Sequence, residues 1–332
     1  MDVVRIFDRD GIWTYQLKTS AQRGYGLVQE MSASFYLSVY DEKCRPAVLN
    51  YGNPVLIENS DGLLAWCGFI DKRGFDGGAA KTVAFTPEHI FTQRRGPQKL
   101  TLKGSAGEIF VQMINYINSL EETILQVGNI DSDSGYMEET LNPVTIDFNL
   151  ARIVARSGEG YRWRPEVVDG RLTIYCDWTP NLVINSGLIL HDGYNVSGEH
   201  PLNETAPAND ILTYGKGTDW TKRLTATAVD AESIQDYGLR QKSFSIPTPS
   251  QATLALTAQN KLNQFKQPKT NFPLSALNIG DTFSKLQPGA LATVTTLVGE
   301  GFSEDGLGYQ SNNVIIKTIS YDPAKGYAGL AI

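Results

Sequence analysis

Between Thr248 and Phe265 the sequence encodes a helix that cannot stand alone. Thr248 as N-cap, Pro249 at the first helical position and Gln251 at the third predict a capping box with a pre-set φ. Leu254, Ala255, Ala258, Leu262 and Phe265 recur at helical spacing on one face, Gln259, Asn260 and Asn263 take the other, and Pro268 ends the run. A helix of this length is marginal in isolation. Burying Leu254, Leu262 and Phe265 contributes roughly 5–9 kcal/mol as an upper bound, so the helix is expected to lie on a sheet.

The rest of the chain supplies the strands. At 332 residues it suits two or three domains, and 31 Gly and 15 Pro with 41% hydrophobic and 20% charged residues describe a turn-rich globular protein. In residues 1–103, Val4 to Phe7 and Ile12 to Leu17 flank Asp8-Arg9-Asp10-Gly11, a hairpin signal. Phe35 to Tyr40 follows, and Pro54 to Glu58 pairs with Leu63 to Ile70 across Asn59-Ser60-Asp61-Gly62. Val55 and Ile57 alternate against Leu56 and Glu58 as one covered face, and Gly68 marks a bulge or a close backbone approach. A small barrel summarises this first domain.

Residues 104–200 change character. Ser105 and Glu108 predict a second capping box, with Ile109, Phe110, Met113, Ile114, Ile117 and Leu120 as the apolar stripe of its helix. An acidic stretch from Asp131 to Glu139 reads as a loop, and a helix over Asn149 to Arg156 ends at Gly158. Tyr161 to Val167 and Arg171 to Cys176 form a hairpin across Val168-Asp169-Gly170, completing an α+β domain. Residues 181–210 carry no period and read as a connection. In the last domain, 201–332, strands are expected at Ile211 to Tyr214, Leu224 to Val229, Thr270 to Leu274, Thr282 to Leu286, Ala292 to Leu297 and Val314 to Tyr321, closed by a hairpin at Asp322 to Gly326.

A net charge of -7 argues against a duplex-binding surface spread over the protein. Cys44, Cys67 and Cys176 support neither a disulfide framework nor a metal knuckle, and folding in a reducing cytoplasm follows. The first residues lack the basic n-region and long apolar core of a signal peptide, so none is expected there, and no stretch approaches a membrane span.

Catalytic and metal chemistry find little support. His89, His191 and His200 share no ligand spacing, and no serine sits in a nucleophile elbow. The Asp131-Ser132-Asp133-Ser134 run lacks the glycine and glutamate of a calcium loop and is expected to be a solvated loop. Glu121, Glu122, Asp177 and Glu199 could be paired as glycosidase carboxylates, as in any acidic protein. Basic residues cluster at Arg94, Arg95 and Lys99, and at Arg152, Arg156, Arg162 and Arg164 around Trp163. Alternation of Arg162 and Arg164 with Tyr161 and Trp163 favours a salt-bridged sheet face, with a subunit contact as the middle reading and single-strand binding behind it.

The order of parts in the last third carries a resemblance. Asn209-Asp210-Ile211 leading to Gly215, Ser233-Ile234 with Tyr237-Gly238-Leu239-Arg240, the helix to Phe265, Ile279-Gly280-Asp281 and the closing hairpin resemble bacteriophage tail hub proteins. Gly52-Asn53-Pro54-Val55-Leu56-Ile57 with Cys67-Gly68-Phe69-Ile70 adds a weaker match. The resemblance implies a mainly β fold with α+β content, in which two tube-protein-like β-barrel domains flank an α/β domain. It also implies a homotrimeric ring joining a sixfold tail tube or distal tail ring to a threefold spike or tip, with DNA passing but not held. Tyr237, Gly238 and Arg240 become a turn and packing site, and Arg162, Trp163 and Arg164 a candidate interface. Some family members carry a wall-degrading domain, which is not seen after Ile332, so no catalysis and no cofactor are expected. The expected location is a virion tail tip assembled in a bacterial cytoplasm. The opposing reading is a carbohydrate-binding or carbohydrate-active β protein using Trp163, Trp178 or Trp220, and a neighbouring distal-tail adaptor ring is a third.

Overall fold

The computed structural model describes residues 2–332 apart from 43, 46–47, 59–61, 77, 98–99, 142–144, 192–193, 198–202, 217–221, 247, 249, 268, 272–273 and 297–308. The chain opens with the hairpin β1 (Asp2–Phe7) and β2 (Trp13–Thr19), whose turn is fixed by the Asp8 carboxylate accepting the backbone N–H groups of Asp10 and Ile12. β3 (Ala21–Gly26), β4 (Ser32–Ser38), β5 (Pro54–Glu58), β6 (Trp66–Asp76) and β7 (Ala79–Phe85) follow. The middle of the chain holds α1 (His89–Gln93), β8 (Leu100–Gly104), α2 (Ala106–Leu120), β9 (Leu125–Ile130), β10 (Met137–Leu141), α3 (Ile146–Ser157), β11 (Gly160–Val168) and β12 (Arg171–Thr179). Next come β13 (Ile184–His191), β14 (Val196–Ser197), β15 (Asn203–Thr205), β16 (Asp210–Tyr214), β17 (Thr225–Val229), α4 (Ala231–Tyr237), β18 (Gln241–Ser245) and α5 (Gln251–Phe265). β19 (Lys269–Asn271), β20 (Leu274–Leu277), α6 (Thr282–Lys285), β21 (Ala290–Thr296), β22 (Tyr309–Ile315), β23 (Thr318–Asp322) and β24 (Tyr327–Ala331) end it.

Both ends of the chain enter one sheet of eleven strands, in the order β14-β20-β24-β23-β3-β4-β7-β6-β5-β1-β2. The join is β23 against β3, with Ile319 opposite Tyr25. One hydrophobic core therefore contains Val4, Phe35 and Trp66 together with Leu188, Phe283 and Leu330. The other side of the same strands packs elsewhere: Phe7, Leu56, Cys67 and Phe69 join Ile109, Phe110, Ile153 and Trp178 of the α+β region. This corrects the reading of β5 as a strand with one covered face. Val55 and Ile57 face the first core and Leu56 the second, so every apolar side chain on it is buried. Gly68 is a close approach, since a Cβ there would lie 2.1 Å from the Phe85 carbonyl oxygen.

Local chemistry explains most of the helices. The Ser105–Glu108 box caps α2 in both directions, although Leu120 emerges half exposed at its end. α3 begins at Ile146, earlier than the spacing predicted, and stops where Gly158 takes φ +77°. α5 starts later than expected: Ser250 is its N-cap, accepting from the Thr253 N–H, while Thr248 belongs to the turn leaving β18 and accepts from the Ser250 N–H. Leu254, Ala258 and Leu262 face inward as expected, but Ala255 is exposed and Thr257 buried in its place. Pro249 and Pro268 lie outside the described residues. The helix does lie on a sheet, covering β16 and β17 of the three-stranded β17-β16-β18 sheet.

Three further expectations fail. Residues 184–205, read as a connection, contain β13, β14 and β15, each paired with a strand far along the chain. Thr282 to Lys285 is a helical turn with Phe283 buried and Lys285 paired to Asp281 across i,i+4. The last long strand is broken at Ile316 and Lys317, so β22 and β23 enter different sheets. Among the described residues, no helix is long and apolar enough to cross a membrane.

Candidate functional site

The Tyr237–Arg240 turn is built around a residue that precedes it by two strands and a helix. Asn209 is fully buried. Its Oδ1 accepts the Arg240 N–H at 2.8 Å, its Nδ2 donates to the Gly238 carbonyl at 2.8 Å, and its own N–H donates to the Arg240 carbonyl at 2.9 Å. Gly238 caps α4 at φ +75°, a conformation that favours glycine. Asp230 caps the other end by accepting from Ser233 N–H, and Ser233 Oγ donates to the Lys266 carbonyl. Tyr237 reaches Gln267 through its hydroxyl at 3.1 Å, and Arg240 Nε donates to the Tyr237 carbonyl at 3.3 Å. Much of Arg240's part in the turn thus comes from its main chain. Asn209→Ala should cost roughly 1–3 kcal/mol in urea unfolding, because it strands buried backbone groups, and Arg240→Ala far less.

Arg162, Trp163 and Arg164 divide between the two faces of β11. Tyr161 and Trp163 turn inward, where Trp163 lies 6.1 Å from Phe91, 6.2 Å from Phe110 and 5.2 Å from Tyr161 between ring centres. Arg164 faces out, bonded to Asp177 at 3.2 Å, within 3.5 Å of Glu166 and stacked over Tyr175 at 4.6 Å. Arg162 donates to the Leu182 carbonyl at 2.8 Å, and burial lowers its pKa, opposed by Asp177. These three residues share the β11-β12-β9 sheet and the Tyr237–Arg240 turn adjoins the β17-β16-β18 sheet, so the structure does not assemble them into one site.

A buried carboxylate beside Trp163 went unnoticed in the sequence. A cavity of about 330 Å³ is lined by Tyr25, Trp66, Cys67, Glu88, Arg162 and Trp163, among others. Glu88 is 6% exposed, and burial pushes its carboxyl up to about 7, against a lowering by the Trp163 indole and the Thr86 hydroxyl. That lowering is partial: neither Glu88 Oε2 nor Trp163 Nε1 completes a well-aligned hydrogen bond. Next to it, His89 places Nδ1 3.0 Å from Glu30 and Nε2 3.2 Å from Asp71, with its ring stacked on Phe85. The only sequence signal was Thr86-Pro87-Glu88 at a helix start.

The acidic 131–134 run is the expected loop, with Asp131 and Asp133 exposed, but its inner side is anchored. Glu159, 4% exposed, accepts from Ser132 Oγ, the N–H groups of Asp133 and Ser134, and the Trp178 indole, all at 2.6–2.7 Å. Ser134 and Ser132 in turn accept from the first N–H groups of α2. Trp178 is 1% exposed and Trp163 packs inward, so neither offers the open aromatic platform a glycan groove needs. Trp220, Glu199, His200 and Lys99 lie outside the described residues. Glu121 is engaged by Arg9 and Arg94, and Asp177 by Arg164.

Sheet edges remain. Among the described residues β2 ends the eleven-stranded sheet with an edge that is unpaired beyond Trp13, and at its start Ile12, Trp13 and Val168 are 55%, 52% and 56% exposed. They adjoin because Trp13 N–H donates to the Gly170 carbonyl in the neighbouring hairpin.

No family model matches the chain, and no curated protein matches it. Solved structures do. The prophage tail protein gp18 from Listeria monocytogenes EGD-e aligns at a TM-score of 0.63 and 12% identity, covering 100% of this chain and 94% of that one. The 43 kDa tail protein of prophage MuSo2 from Shewanella oneidensis gives 0.61 and 14%, covering 99% and 97%. The E. coli c3393 protein, a type VI secretion component described as structurally similar to the T4 tail proteins gp27 and gp5, gives 0.55 and 12%, covering 95% and 73%. The chain has the β-rich α+β fold of phage tail proteins.

Proposed function

We propose that the chain is a structural hub of a phage tail or of a phage-derived injection particle. In this reading copies close into a ring, a trimer, between a sixfold tube or distal tail ring and a threefold spike or tip, with no catalytic role and no membrane insertion of its own. The observation that carries it is the shared fold across 94% and 97% of the two prophage tail proteins. The free edge of β2 and the Ile12–Trp13–Val168 patch support it, because a ring covers strand edges and apolar surface that a lone monomer leaves open. The proposal includes a division into barrel-like units at 1–103 and 201–332 about an α+β unit at 104–200.

The test is solution mass with negative-stain imaging over a concentration series. A trimer with a central opening is expected, and Trp13→Asp should reduce it to monomer while leaving the circular dichroism spectrum intact. If Arg240 sits at a contact, Arg240→Ala lowers particle yield without lowering the melting temperature. A ring that survives Trp13→Asp would remove β2 from the interface, and a monomer at every concentration, with or without tail proteins added, would remove the hub reading.

A further inference from the structure

A second surface is built to receive a strand. Among the described residues β18 pairs with β16 on one side and ends its sheet on the other, and Gln241, Lys242, Ser243 and Ser245 on it are exposed. α5 covers β16 and β17, and its last residue, Phe265, stacks on Phe244 of β18 with ring centres 5.7 Å apart. Two ammonium groups sit on this pair. Lys242 Nζ lies 4.3 Å from the Phe265 ring centre and 5.5 Å from that of Phe244, and Lys261 Nζ lies 5.8 Å and 5.4 Å from the same rings.

Like charges do not share an aromatic pair without cost. Burial and Lys242 both lower the pKa of Lys261. Among the described residues no ion pair neutralises either lysine, and the polar contact of Lys261 is with Gln264 Oε1 at 3.1 Å. The nearby carboxylates are engaged elsewhere: Asp210 accepts from Gln241 at 2.6 Å and Asp230 pairs with Lys266 at 3.0 Å. Beside the lysines a hollow of about 560 Å³ is lined by Leu239, Arg240, Gln241, Lys242 and Phe265, among others. Leu239 is 61% exposed there. A local excess of positive charge on a chain of net charge -7 is a feature to be explained.

We propose that β18 is a docking edge for an acidic extended segment of a partner protein, which adds as a fourth strand with carboxylates at alternate positions. The reasoning is geometric. An added strand continues the sheet past β18, and its alternate side chains on the α5 side fall about 4.5–5.5 Å from Lys242 and Phe244. Carboxylates there neutralise Lys242 and Lys261, and the free N–H and C=O groups of β18 gain partners. The proposal does not depend on the ring reading, because it uses a different sheet.

The probe is a fluorescein-labelled decapeptide in which Glu and Thr alternate, followed by fluorescence anisotropy with the full chain at low and high salt. Binding that weakens with salt is expected, together with slowed amide exchange across residues 241–245. Lys242→Gln with Lys261→Gln should weaken it about tenfold, in line with two partly exposed ion pairs. Lys242→Glu with Lys261→Glu should reverse the preference toward a Lys/Thr peptide. Circular dichroism melts of each variant, expected to match the parent, separate loss of binding from loss of fold. The proposal is overturned if the Lys/Thr peptide binds the parent equally well, or if the glutamine variant binds unchanged. It is also overturned if a Glu/Thr peptide with a central Pro pair, unable to complete the ladder, binds as tightly.

Discussion

Glu139→Ala is expected to lower stability by about 3–5 kcal/mol, the cost of leaving buried guanidinium charge without its partner. The Glu139 side chain is fully buried on β10 and bridges two arginines from successive turns of α3, Arg152 at 3.1 Å and Arg156 at 2.7 Å. Asn149, one turn earlier still, donates to the same carboxylate at 2.6 Å. Arg156 is itself enclosed and donates also to the Glu138 carbonyl, and burial lowers its pKa. Removing the carboxylate leaves Arg156 a charge with no route to water except through partial unfolding of α3 from β10. The adjacent residue is the internal control: Glu138 faces solvent on the same strand and pairs with Lys103 at 3.0 Å, so Glu138→Ala should leave the unfolding midpoint unmoved. Urea unfolding at pH 7 measures both. A loss below about 1 kcal/mol for Glu139→Ala would show that water reaches Arg156 readily, and the triad would then be ornamental to stability.

That triad illustrates what was legible in the sequence. Arg152 and Arg156 were visible as a basic cluster at helical spacing, but their partner sits on a strand that the acidic composition of 131–139 disguised as a loop. The hairpins at Asp8–Gly11 and Asp169–Gly170, the Ser105–Glu108 box and the Gly158 cap were all readable because a few neighbouring residues decide each one. β13 and β14 were unreadable because their hydrogen bonds go to β21 and β20, roughly a hundred residues away, and local propensity carries no record of such pairing. The same holds for the single sheet joining β3 to β23. Helix α6 was misread for a smaller reason: it is a single four-residue turn, too short to show a helical period, and Thr282 and Phe283 look like a strand. At the candidate turn, Tyr237, Gly238 and Arg240 were found as a motif, whereas Asn209, which holds two of their backbones, was read only as the start of the Asn209-Asp210-Ile211 match, with no tie to that turn.

Glu88→Gln should stabilise the protein above neutral pH, an unusual direction for removing a carboxylate. The folded-state pKa of Glu88 is raised from 4.5 to about 7, chiefly by burial, with Glu30 pushing in the same direction and Trp163 and Thr86 opposing. Below 4.5 the group is protonated in both states and its contribution is fully present. Between 4.5 and about 7 the unfolded chain releases the proton while the folded chain keeps it, so the folded state binds more protons and stability falls as pH rises. Above 7 the loss reaches about 3 kcal/mol, the two pKa values converted at 1.36 kcal/mol per unit. A glutamine keeps the shape and carries no proton to lose. Wild type and variant should therefore unfold alike at pH 4.5 and diverge by up to about 3 kcal/mol at pH 8, with the variant the more stable. Carboxylates held below their ordinary range, such as Asp230 beside Ser233 N–H and Lys266, pull the total stability the other way with pH. They are common to both proteins and cancel in the difference. Parallel pH profiles would mean that Glu88 finds hydration through the cavity it lines, and a variant weaker at pH 8 would mean that the ionised carboxylate is held by the Trp163 indole after all.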